Sequence, residues 1–136
     1  NTYSKEFYAG YRTWLQNKYI GGGVKSYKLN WKRSGFVNCA PHPHNYYIEI
    51  LASVGLIGFF ILTIIFAITI YNSFMKKYFT KISLKHNLII TPFMFLLFAE
   101  VFPFKSTGSF FTTSNATFLF LMLSITISLS RLKNLN

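Results

Sequence analysis

The densest group of chemically useful side chains is Cys39-Ala40-Pro41-His42-Pro43-His44-Asn45, directly ahead of a long apolar run. Each proline fixes its own φ and biases the residue before it toward extended backbone, so helix can begin only after Pro43. Asn45 is a favoured N-cap type, which puts His44 at the mouth of the helix that follows. The positive end of a helix dipole disfavours an imidazolium and attracts anions. Such a mouth suits a neutral imidazole that takes a proton from a hydroxyl, beside a spot that welcomes phosphate. A simple contact with lipid headgroups is the other reading of the same histidine.

Cys39, His42 and His44 are all metal-ligand types. A structural metal would need a fourth ligand, and only Glu49 lies nearby, so no metal and no cofactor is expected. Spacing adds a second expectation. Gly55 lies eleven residues after His44 and Gly58 fourteen. At about 3.6 residues per turn both glycines fall near the helix face below the histidine. Small residues on one stripe let another membrane helix approach closely, although glycine is common in such helices anyway.

The elements that would position these residues follow from composition. The chain has 136 residues, 51% hydrophobic and 20% aromatic, with 12% charged, against about a quarter in an ordinary soluble domain. Its acids are Glu6, Glu49 and Glu100 alone, and there is no Asp. Long uncharged runs point to lipid rather than to a soluble core. The expected fold class is all-α: a polytopic transmembrane helical protein, with residues 1–47 as an extracytoplasmic loop carrying an amphipathic helix and residues 48–136 as a three-span region. The spans are read at 48–74, 88–104 and 116–130, the second interrupted by Glu100 and Pro103. Glu100 is costly inside a span and would be a functional group there, unless it sits at the interface beside Pro103. The opening NTYSKEF has no signal-peptide character. A start at Asn1 and a first span only near residue 48 are what an internal or C-terminal piece of a longer chain would show.

A net charge of +11 raises nucleic acid as a partner. The basic residues are spread over loops between spans and no recognition helix or base-stacking module is visible, so nucleic acid is not expected. Lipid headgroups or lipid-borne phosphates suit such loops better. Counted whole, the segments 1–47 and 105–115 hold more cations than the opposite side. Counted within about 15–20 residues of the spans, Lys32, Arg33 and Lys105 stand against Lys76, Lys77, Lys81, Lys85, Arg131 and Lys133. That places the lysine loop in the cytoplasm and residues 1–47 outside. Cys39 is a lone cysteine and leaves the redox compartment undecided.

Within 1–47, Phe7, Tyr8, Tyr11, Trp14, Leu15 and Tyr19 recur at helical spacing, and Gly21-Gly22-Gly23 ends the pattern. Lys5, Arg12 and Lys18 lie off or at the edge of the stripe. Two placements remain open: packing against the rest of a larger protein, or lying in the outer interface beside a lipid-linked substrate.

His44-Asn45, nine residues, then Gly55-Leu56-Ile57-Gly58 resembles the H-[NSQ]-x9-G-x-x-G signature of the O-antigen ligase/polymerase superfamily. The longer string HPHNYYIEILASVGLIGFF is similar almost throughout. YRTWLQNKYIGGGVKSYK upstream and FPFKSTGSFF downstream resemble the stretches that flank it in that family, so the likeness covers most of the chain. Two departures stand out. Trp31 lies in the region where some relatives carry a second cysteine, so no loop disulfide is assumed, and Thr112-Thr113-Ser114-Asn115 replaces the Asn-Asn-Trp that often follows GSFF.

The resemblance implies a glycosyltransferase that moves a glycan from undecaprenyl pyrophosphate to an acceptor hydroxyl at the periplasmic face of the bacterial inner membrane. The acceptor would be lipid A–core or a growing polysaccharide. It implies His44 as base without a metal, with Asn45 orienting it or capping the helix. Arg12, Lys32, Arg33 and His42 are the expected contacts to phosphate or glycan. From the residues alone, the lack of Asp and of paired carboxylates leaves few candidates for a magnesium-holding or two-carboxylate mechanism. Stabilising the leaving diphosphate would then fall to Arg and Lys. Other catalytic basic residues of the family would lie upstream, and the piece alone is expected to be inactive. A non-enzymatic membrane protein, such as a lipid or glycan transporter, is the alternative; its site would lie near mid-bilayer in broken helices.

Overall fold

The structure, a computed structural model, describes residues 2–38, 40–79 and 84–131. Cys39, Lys81 and Lys133, and the side chains of Lys76, Lys77, Lys85 and His86, lie outside that set. The described residues form five helices and no strand: α1 (Thr2–Gln16), α2 (Tyr27–Arg33), α3 (Tyr46–Phe79), α4 (Leu84–Glu100) and α5 (Thr113–Arg131). Two apolar stretches, Tyr46–Ser73 and Thr113–Arg131, are long and apolar enough to cross a membrane. The apolar part of α4, Leu88–Glu100, is shorter, and the helix carries Pro92 in its interior.

The chain divides into two units. The first joins Asn1–Leu62 to Pro103–Ala116. Its core is Ala9, Tyr27, Trp31 and Ala52, with Phe36 packed against them. The face that α1 buries is not the aromatic stripe. Glu6, Ala9, Gly10 and Thr13 are buried, whereas Phe7, Tyr8 and Tyr11 are exposed. Small side chains explain the choice: a Cβ on Gly10 would stand 2.3 Å from Ile48 Cγ2, a separation that only glycine permits. α2 packs on α1, and the Tyr27 hydroxyl donates to the Glu6 carbonyl at 2.9 Å.

The same unit corrects the expectation of one continuous helix from residue 48. At Gly55 the backbone leaves the helix (φ 66°, ψ −168°), a region open in practice to glycine alone. A break in an apolar helix frees backbone groups that lipid cannot satisfy. Here the loop over residues 18–23 satisfies four of them. The Gly22 and Gly23 N–H groups donate to the Ala52 and Ser53 carbonyls, both at 2.9 Å. The Leu56 and Ile57 N–H groups donate to the Lys18 and Tyr19 carbonyls at 2.9 and 3.2 Å. A Cβ on Gly55 would fall 2.3 Å from the Tyr19 carbonyl oxygen. The tight approach at Gly55 is therefore to the backbone of the upstream loop, not to another membrane helix. The break also ends the helical register that would align Gly58 with His44.

The second unit comprises Thr63–Phe102 and Thr117–Asn136. It buries Phe66, Ile90, Met94, Leu97, Leu119, Met122 and Leu123. Two of its buried hydroxyls turn back onto their own helices: Thr69 donates to the Ile65 carbonyl at 2.8 Å and Thr126 to the Met122 carbonyl at 2.7 Å. Ile64, Ile68, Phe95, Phe98 and Leu121 are exposed, so these helices present apolar side chains outward as well as inward.

Candidate active site at the head of the long helix

Asn45 begins α3 as an N-cap. Its Oδ1 accepts from the Tyr47 and Ile48 N–H groups at 3.0 and 3.2 Å, and its Nδ2 donates to the Pro103 carbonyl at 2.8 Å. Of the two roles expected of Asn45, the geometry gives it the cap. The cap also takes two N–H groups that a bound phosphate would otherwise use. Anion binding at this mouth therefore depends on cationic side chains, not on the helix end alone.

His44, one residue earlier, adopts a left-handed backbone (φ 51°), which places its carbonyl where the Thr107 N–H donates to it at 2.9 Å. Its ring is half-exposed and faces two groups. Nε2 lies 3.7 Å from Glu6 Oε2, and the His42 ring centroid is 4.3 Å away, tilted by 59°. Glu6 itself is buried. The 3.7 Å separation exceeds a hydrogen bond, and contacts of this kind commonly tighten when substrate arrives. Partial burial and the charge of His44 hold the His42 pKa below the usual histidine value, with Glu6 opposing them.

Of the remaining expected contacts, Arg12, Lys32 and Arg33 are exposed. Lys32 Nζ sits 5.9 Å from the Trp31 ring centroid. Arg12 and Arg33 form no ion pair among the described residues. His42 is brought to His44; the three cations are on the surface of the same unit. No group of three metal-ligating side chains converges among the described residues.

Two acids were not anticipated here. Glu6 reaches His44 because it shares the small-residue face of α1, a stripe visible in sequence as Glu6, Ala9, Gly10 and Thr13. Glu49 is buried in the first turn of α3, where Ser109 Oγ donates to Oε1 at 2.5 Å and the Phe110 N–H donates to Oε2 at 2.6 Å. Nothing local in the sequence pairs residue 49 with residues 109 and 110.

The assembly is thus an imidazole beside a buried carboxylate and a second imidazole, fixed at a capped helix end. It can orient a histidine and let it exchange a proton with a hydroxyl. Compared with protein-family models, curated proteins and solved structures, the chain finds no match.

Proposed function

We propose that the chain is the histidine-bearing part of a multi-pass membrane glycosyltransferase of the O-antigen ligase/polymerase type. In this reading α3, α4 and α5 cross the bacterial inner membrane, α4 with its short apolar stretch as the third span, and residues 1–47 face the periplasm. The outward-facing apolar side chains of the second unit support a lipid surround. The motif around His44 supplies the choice of chemistry.

The observation that carries the reading is the His44–Glu6 pair at the Asn45-capped mouth of the helix. The acceptor hydroxyl oxygen attacks the anomeric carbon of the donor sugar as the bond from that carbon to the undecaprenyl diphosphate oxygen breaks. His44 receives the hydroxyl proton, and Glu6 holds the imidazole in place. The electron pair leaves on the diphosphate, whose charge is met by Arg12, Lys32, Arg33 and cations of the longer chain. No metal or organic cofactor takes part.

The break at Gly55 is the one feature that favours a transporter, because transport sites are built in discontinuous helices. The Ala52 and Ser53 carbonyls and the Leu56 and Ile57 N–H groups at the break are engaged by residues 18–23, so the break is used as a joint within the protein. The enzyme reading therefore stands ahead. The test is the full-length protein, reconstituted with a defined undecaprenyl-diphosphate-linked glycan and either lipid A–core or a glycan acceptor. A new glycosidic product with release of undecaprenyl diphosphate is expected. Movement of the intact donor across the bilayer, with no product, would establish the transporter instead.

A further inference from the structure

We infer that Glu49 is a positioning residue for His44, acting through the segment Thr107–Phe110. This inference rests on the proposed role of His44. The chain of contacts is continuous. Ser109 and Phe110 are fixed to the two carboxylate oxygens of Glu49, and Thr107, two residues before Ser109, donates its N–H to the His44 carbonyl.

The acceptor matters because His44 holds a left-handed backbone, uncommon for a residue with a side chain. Such a conformation persists when its surroundings over-determine it. Three further ties hold the stretch from Pro103 to Phe110. Asn45 Nδ2 reaches the Pro103 carbonyl at 2.8 Å. The Phe110 ring meets Tyr46 edge-on at 5.5 Å. Asn115 Nδ2 donates to the Ser109 carbonyl at 2.8 Å, which closes the turn before α5. Among these ties Glu49 alone holds two points of the segment at once, the Ser109 hydroxyl on one oxygen and the Phe110 N–H on the other. Glu49 thus sets where residue 107 meets residue 44, and with it the direction in which the imidazole leaves the backbone.

The experiment uses the full-length protein with Glu49→Gln and, separately, Ser109→Ala, which leaves the carboxylate and the Phe110 bond intact. Hydrogen exchange at the Thr107 amide reports the tie to His44 directly, and steady-state transfer reports its effect. In Glu49→Gln, loss of one of the two acceptor oxygens should speed Thr107 exchange about tenfold or more. Amides of α4 should keep their protection. Transfer should lose about 10- to 100-fold in kcat with donor KM little changed, as misplacement of a reacting group does. Ser109→Ala should move both readouts the same way by less, and it decides the matter if Glu49→Gln does not fold. Unchanged Thr107 exchange in a folded variant would overturn the inference, as would a loss of protection spread evenly over the chain. If His44→Ala retained transfer while Glu49→Gln still freed Thr107, the role of His44 would fall and the structural link would stand.

Discussion

His42 lies 4.3 Å from the His44 ring, and two imidazoles so close repel each other when both are protonated. Burial and the neighbouring His44 lower the His42 pKa, with the Glu6 carboxylate acting in the opposite direction. The folded value then lies below that of the unfolded chain, near the ordinary 6.5. Above that pH His42 is neutral in both states and its contribution to stability is complete. As the pH falls through 6.5 the unfolded chain takes up the proton first, so stability declines until the folded value is passed. We therefore expect the apparent Tm of the full-length protein in detergent to drop on acidification from about pH 7 toward 5. His42→Gln should remove part of that slope; an identical slope would show that His42 does not titrate as described. In the proposed reaction the same neutrality would help, since a second cation beside His44 would hinder proton uptake.

Between residues and fold, the informative element is α3 with its break. Gly55 holds a conformation reserved in practice for glycine, and its missing side chain makes room for the Tyr19 carbonyl. Gly55→Ala should cost at least about 3 kcal/mol from backbone strain and the clash together, read as lost membrane abundance and a lower Tm. Gly58→Ala also clashes, its Cβ 2.7 Å from Val54 Cβ, which no side-chain rotation moves, but it carries no left-handed backbone strain and should cost less. Equal losses at both positions would contradict the spliced break. This element also marks what the sequence could disclose. The prolines and Asn45 announced where α3 starts, because an N-cap is a local event of a few residues. The glycine pair announced a close approach but not its partner: G-x-x-G reads the same whether a helix or a loop comes near. The Glu6–His44 and Glu49–Ser109 contacts join residues far apart in the chain, and no periodicity encodes such meetings. Only their unusual chemistry was legible, as lone acids in a basic chain.

At the scale of the molecule, the described residues of the first unit sort charge by depth. The net charge is +11, and two of the acids, Glu6 and Glu49, are buried against partners. The exposed charge of the first unit is accordingly cationic: Lys5, Arg12, Lys18, Lys25, Lys28, Lys32, Arg33 and Lys105. Exposed Phe7, Tyr8, Tyr11 and Tyr19 lie among them. Cations interleaved with aromatic rings suit the headgroup layer, where a diphosphate-linked sugar would be presented. In the proposed function the buried acids organise the histidine. The whole arrangement converges on one imidazole, and the most direct measurement is glycan transfer by full-length protein carrying His44→Ala at matched membrane abundance. Loss of a positioned general base predicts a fall of about 100-fold or more. Transfer at the unsubstituted rate would contradict the assignment of His44 as the base.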